Sequence, residues 1–139
     1  MSLASLIYIS KAVRPMNEDD LMHILKTSRL RNRMLGITGL LLYRDGLFVQ
    51  VLEGEHKTVD KLFELVVTDS RHTDVIRVYE GRINQRVYGD WSMSFNYVTD
   101  SDLLAVPGYT EDNLKDSLSN FYNAPMQAQK LLEVFQERS

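Results

Sequence analysis

Apolar residues recur along this chain with two different periods, and the switches between them mark out its elements. Ser5-Leu6-Ile7-Tyr8-Ile9-Ser10 is short, β-branched and aromatic and ends at a Lys-Ala-Val-Arg-Pro stretch, which predicts a central strand followed by a loop. From Asn17, with Asp20 three residues on as a weaker relative of the capping box, Leu21, Ile24, Leu25 and Ser28 fall at helical spacing. This first helix leaves through a polar Arg29-Leu30-Arg31-Asn32-Arg33 exit and stops at Gly36. Ile37–Tyr43 and Leu47–Leu52 are apolar strands around Arg44-Asp45-Gly46, whose Asp-Gly step favours a tight hairpin turn. Val59, Leu62, Phe63 and Val66 then fall at i, i+3, i+4 and i+7, predicting a second amphipathic helix to about Thr68. Asp69-Ser70-Arg71-His72 connects it to a strand over Val75–Tyr79, and a final strand, Ser92 to Val98, follows the Tyr88-Gly89-Asp90-Trp91 corner.

The order β-α-β-β-α-β-β predicts a ferredoxin-like α/β (α+β) sandwich with a mixed five-stranded sheet and two helices on one face. The first and third strands are expected to lie side by side and to run parallel. Beyond Asp100 two helical patterns, Leu114-Leu118-Phe121-Tyr122 and Met126-Leu131-Leu132-Phe135, are divided by Asn123-Ala124-Pro125 and predict an appended helical hairpin. The chain is thus read as residues 1–98, the sandwich, and residues 99–139, a helical extension that caps the sheet, dimerises or transmits a signal.

Composition narrows the function. A chain of 139 residues can bury a true core without staples, and with no cysteine it has no thiol nucleophile, no Cys-ligated metal and no disulfide framework. A cytoplasmic setting is the default. Sixteen Lys and Arg against 19 Asp and Glu leave a formal charge of −3, so no global positive field collects nucleic acid or an anionic membrane. Apolar runs such as Gly39–Tyr43 are too short to span a bilayer, and the first residues lack the pattern of a signal peptide.

Gln50 is the most informative residue, because Phe48-Val49-Gln50-Val51-Leu52 is apolar on both faces and a buried amide without partners costs about 1–3 kcal/mol. Period-two alternation puts Phe48, Gln50 and Leu52 on one face, and Leu6, Tyr8 and Ser10 on one face of the first strand. If those strands are neighbours, the Tyr8 hydroxyl and the Gln50 amide meet under the helices. On residues alone that pair is either a hydrogen bond that satisfies the core or part of a site. The Arg29, Arg31, Asn32 and Arg33 cluster, with Arg71 and His72 past the second helix, is open in the same way. It is helix-end capping by cations or a set of planar donors for a heterocycle. His23, His56 and His72 show no partner at metal-ligand spacing, so no metal site is expected. No phosphate-binding glycine loop and no hydrolytic motif occurs. Trp91 and Met93, at the start of the last strand, are by themselves best read as core.

Taken in order, Leu6-Ile7-Tyr8-Ile9-Ser10, Asn32, Gly36-Ile37-Thr38-Gly39-Leu40-Leu41, Phe48-Val49-Gln50-Val51-Leu52-Glu53-Gly54, Asp69-Ser70-Arg71-His72 and Trp91-Ser92-Met93 resemble the BLUF family, sensors of blue light using FAD. The likeness covers about residues 5–98. It implies a non-covalently held FAD between the two helices, contacted by Asn32, Arg71 and His72, with Arg31 at a neighbouring position and Ile24, Ile37 and Phe48 as apolar walls. It further implies that Tyr8 and Gln50 carry the photochemistry by rearranging hydrogen bonds, and that Trp91 and Met93 pass the change on. The implied protein is a non-enzymatic, stand-alone photoreceptor acting on a separate, unidentified signalling partner, with dimerisation or higher homo-oligomerisation through the apolar helical tail. The competing reading is a ferredoxin-like small-molecule regulatory or protein-interaction module without photochemistry. An RNA-binding sheet of the same topology would want a basic balance and exposed aromatics, which the sequence does not offer.

Overall fold

The computed structural model describes residues 2–89 and 93–137, without side chains at 115–118 and 137. Five strands, β1 (Leu3–Ala12), β2 (Thr38–Arg44), β3 (Leu47–Glu55), β4 (His72–Arg82) and β5 (Ser94–Tyr97), form one sheet in the order β4-β1-β3-β2-β5. The long helices are α1 (Glu18–Leu35) between β1 and β2, and α2 (His56–Val67) between β3 and β4. After the sheet come α3 (Asp100–Leu104), a 3₁₀ turn (Glu111–Asp116), α4 (Ser117–Asn123) and α5 (Met126–Glu137). The break at Asn123–Pro125 falls as the sequence predicts, whereas α3 and the 3₁₀ turn are additions to the expected hairpin.

Local chemistry explains the element ends. Asn17 accepts from the Asp20 N–H while the Asp20 carboxylate accepts from the Asn17 N–H, a full capping box, and Gly36 closes α1 in the left-handed conformation. Asp45 and Gly46 both take positive φ, 46° and 86°, the condition for the turn that joins β2 to β3.

One expectation is corrected. The first and third strands are neighbours, but they run antiparallel, with Tyr8 opposite Gln50 and Leu6 opposite Leu52. The α1 crossover brings β2 back in the direction of β1, and the tight hairpin then reverses β3 into the gap between them. The parallel pair is instead β2 with β5, which makes the sheet mixed.

The central strands are buried on both faces. Leu6, Tyr8, Phe48 and Leu52 pack under Leu21 and Leu25 of α1 and Val59, Leu62 and Phe63 of α2. Ile7, Ile9, Leu40, Leu42, Val49 and Val51 pack on the opposite face against Leu103, Phe121, Leu131 and Leu132 of the C-terminal helices. Each large side chain so buried contributes about 1.5–3 kcal/mol. The C-terminal segment therefore covers a sheet face that would otherwise be apolar and wet.

Gly39 marks the closest approach within the sheet: a Cβ there would lie 2.0 Å from the Val51 carbonyl oxygen, a backbone atom that cannot move without breaking the β2–β3 ladder. A Cβ at Gly81 would meet only the hydroxyl end of the Tyr79 side chain, which is partly exposed and can swing away. Gly39→Ala is accordingly expected to cost about 2–3 kcal/mol in urea unfolding, and Gly81→Ala clearly less; equal costs would refute this account of the ladder.

Candidate functional site

Between α1 and α2, above β1 and β3, lies a small solvent-connected cleft with a cavity volume of about 50 Å³. Its lining brings together seven residues singled out from sequence: Tyr8, Ile24, Arg31, Phe48, Gln50, Arg71 and His72. Helical spacing aims Ile24 and Arg31 from α1, and strand alternation aims Tyr8, Phe48 and Gln50 from the sheet. Two expected members are absent from this lining. Asn32 is fully buried in α1 beside Arg31, and Ile37 is buried at the entry to β2 against Gly54.

Ser28, Leu41, Val66 and Asp69 also line the cleft and escaped the sequence reading. Ser28 sits one turn beyond Ile24, and Leu41 lies directly across the ladder from Gln50, so spacing and register carry their signal. Asp69 is different, since only the fold shows that its carboxylate faces inward toward Arg71.

At the floor, the Tyr8 hydroxyl donates to Gln50 Oε1, and Gln50 Nε2 donates to Met93 Sδ at 3.3 Å. Both Tyr8 and Gln50 are buried, and Met93 is 1% exposed. Met93 thus points inward, held also by the Arg29 Nε–H that donates to its carbonyl at 2.8 Å. Trp91 lies outside the described residues. Burial pushes the Tyr8 phenol well above its ordinary pKa, opposed by the Arg31 guanidinium, so the phenol is neutral and a hydrogen-bond donor.

The cationic rim is more tied down than sequence suggests. Arg71 donates through Nε and Nη2 to Asp69, holding that carboxyl well below its usual range, at about 2. Both ring nitrogens of His72 already have protein partners. The Val66 carbonyl only accepts, so Nε2 carries the hydrogen, and Nδ1 shares a hydrogen bond with the Ser10 hydroxyl at 2.9 Å. Arg31 Nε, by contrast, is buried with no hydrogen-bond partner among the described residues. Burial lowers the Arg31 pKa from its ordinary value, and the nearby Arg71 adds to that shift.

Away from the cleft, the expectation that no histidine has metal-ligand neighbours is corrected. One helical turn separates His56 from Asp60, and β4 adds Glu80, with His56 Nε2 at 3.5 and 3.6 Å from the two carboxylates. The sequence reading overlooked the i, i+4 pair, and the β4 partner comes from tertiary packing. The cluster is a partly exposed polar network in which Glu80 also pairs with Arg77.

The depressed Asp69 value has a consequence for stability. A carboxylate whose folded pKa lies below its unfolded one stabilises the fold in full above about pH 4, and that contribution is lost as pH falls toward about 2. Between these values the Tm of the wild type is expected to fall more steeply than that of Asp69→Asn. Parallel profiles in a thermal melt series would show that the Asp69–Arg71 pair carries no such contribution.

The family described as sensors of blue-light using FAD matches residues 3–94. The photoactivated adenylate cyclase subunit beta of Euglena longa is 45% identical over 94 residues, which are 67% of this chain and 11% of that protein. This chain therefore spans about a tenth of such curated relatives. The dark-state structure of the BLUF protein BlrB superposes with a TM-score of 0.78 at 32% identity, covering 99% of this chain and 98% of that one. A bacterial light-regulated adenylyl cyclase aligns at 29% identity and a TM-score of 0.68, covering 94% of this chain and 36% of its own. With a floor of paired Tyr8 and Gln50 in a cleft between two helices, and a match over most of its length, the chain belongs to the BLUF family of blue-light sensors that use FAD.

Proposed function

We propose that this chain senses blue light through the Tyr8–Gln50–Met93 network and passes the change to a separate partner protein, without catalysing a reaction itself. The observation that carries the reading is the orientation of the Gln50 amide, with Oε1 on the Tyr8 hydroxyl and Nε2 on the Met93 sulfur.

FAD suits the residues that line the cleft. Ile24, Leu41, Phe48 and Val66 supply an apolar slot, and the buried, unpartnered Arg31 Nε is a donor waiting for an acceptor. Arg31 and Arg71 would hold the cofactor's polar edge, with His72 and Asp69 fixing the rim rather than spending their own hydrogen bonds on the ligand. Asn32, buried beside Arg31, and Ile37 would support that end of the slot from behind. When bound, the flavin supplies light absorption and a strongly oxidising excited state.

The protein's part is a choice between two hydrogen-bond arrangements. The Tyr8 hydroxyl can donate to Gln50 Oε1 or accept from Nε2, so it tolerates either amide orientation. The Met93 thioether can only accept, so it favours the one with Nε2 toward sulfur. Rotation or tautomerisation of the amide would take the donor from Met93 and loosen its hold on β5. From there the signal would run through Met93, and through Trp91 two positions earlier in the sequence, to the C-terminal helices packed on the far face of the sheet. A partner that reads the state needs a differential affinity of about 1–3 kcal/mol.

The sensor is further proposed to act in the cytoplasm as a homodimer or higher homo-oligomer; among the described residues no helix is long and apolar enough to cross a membrane. Partly exposed Leu104 and exposed Met126 on the C-terminal helices favour association there.

Absorption spectra before and after blue illumination test the mechanism. The FAD-loaded wild type is expected to show a small red shift that reverses in the dark, Gln50→Leu to bind FAD without the shift, and Tyr8→Phe to lose the normal photocycle. A normal shift in Gln50→Leu would remove the amide from the mechanism. Sedimentation velocity over a range of concentrations checks the oligomer, and a concentration-independent monomer in both light states would overturn it.

A further inference from the structure

Glu53 is a buried acid that the network above does not use. It lies three positions after Gln50 on β3 and is 1% exposed. Its Oε1 accepts from the Thr38 hydroxyl and from the Tyr88 N–H, both at 2.9 Å, and its Oε2 accepts from the Val87 N–H at 2.7 Å. Arg86 completes the knot by donating from Nη1 to the Thr38 hydroxyl and to the Glu53 carbonyl, and from Nη2 to the Gly36 carbonyl at 2.8 Å. A buried carboxyl is tolerated only when such bonds offset its lost hydration. Here its side chain is spent on β2 and on residues 87 and 88.

That destination is informative. Val87 is exposed, so apolar packing does little to hold this residue of the segment after β4. Beyond it, past residues 90–92, Met93 is buried again, with its sulfur on Gln50 and its carbonyl on Arg29. β3 therefore grips the connection between β4 and β5 at two places, through Glu53 at residues 87 and 88 and through Gln50 at Met93.

We infer that Glu53 is a positioning residue for the light response: by fixing residues 86–88 to β2 and β3 it sets the register in which Met93 meets the Gln50 amide, and so the lifetime of the illuminated state. This deepens the sensor reading and rests on it. A loosened connection lets Met93 shift with less resistance, which lowers the barrier to restoring the Nε2–sulfur contact, so recovery in the dark speeds up.

The test compares dark-recovery rates of the FAD-loaded wild type, Glu53→Gln and Leu103→Ala, with Tm measured for each. Glu53→Gln keeps the shape but turns one acceptor into an NH2 that faces a backbone N–H or the Thr38 hydroxyl; Leu103→Ala destabilises the opposite core, against which Tyr88 also packs, and leaves the hydrogen bonds of Glu53 in place. The expected result is a red shift retained in Glu53→Gln with recovery at least fivefold faster, and recovery in Leu103→Ala within twofold of the wild type. Recovery in Glu53→Gln less than fivefold faster would overturn the inference, as would an equal acceleration in Leu103→Ala, which would reduce the effect to general destabilisation. If Glu53→Gln does not fold, Thr38→Val removes one bond to Oε1 with little change of volume. It is then expected to recover at least threefold faster, and a smaller change counts against the inference. A wild type that binds FAD but shows no red shift would instead refute the sensor mechanism itself, before any variant is compared.

Discussion

The site depends on the register between β1 and β3. Antiparallel pairing puts Tyr8 directly opposite Gln50 on the face beneath α1 and α2, and a slip of one residue would turn one of the two toward the C-terminal helices. Two apolar faces enforce that register together. Leu6, Phe48 and Leu52 must lie under α1 and α2, while Ile7, Val49 and Val51 must meet Leu131 and Phe121. The hydrophobic effect thus fixes, without any direction of its own, a hydrogen bond in the core whose direction matters.

Polar groups inside such a sheet are costly unless paired, and this protein pairs nearly every one named here in a way that links elements. Gln50 joins β1 to Met93, His72 joins β4 to Ser10 of β1 and to Val66 of α2, and Glu53 joins β2 and β3 to the segment after β4. At the cleft, among the described residues, Arg31 lines the wall and its buried Nε has no hydrogen-bond partner. That contrast separates the groups that build the cleft from the group left over for what enters it.

Two roles for the C-terminal helices follow from one piece of packing. They bury the second apolar face of the central strands, and for that reason they rest against the strands that carry Tyr8 and Gln50. A cover that stabilises the sheet is also placed to register small changes in it, because packed interiors shift between discrete arrangements more readily than they deform.

Much of this was written locally in the chain. Period-two and helical spacing, the Asn17–Asp20 cap, the Asp45-Gly46 turn and Gly36 determined the elements and their order, since each depends on neighbours within a few residues. The anomaly of an amide in the apolar run Phe48–Leu52 marked Gln50, and alternation paired it with Tyr8. Only the tertiary structure decided the rest. The direction of β3 relative to β1 follows from how a helical crossover and a hairpin combine, which no local pattern encodes. The inward aim of Met93, the capture of Arg71 by Asp69, the double occupation of His72, the meeting of His56 and Asp60 with Glu80 and the grip of Glu53 on residues 87 and 88 all join residues distant in sequence or oriented by the fold. Hydrogen bonds select partners by position in space, and that position exists only once the sheet has closed.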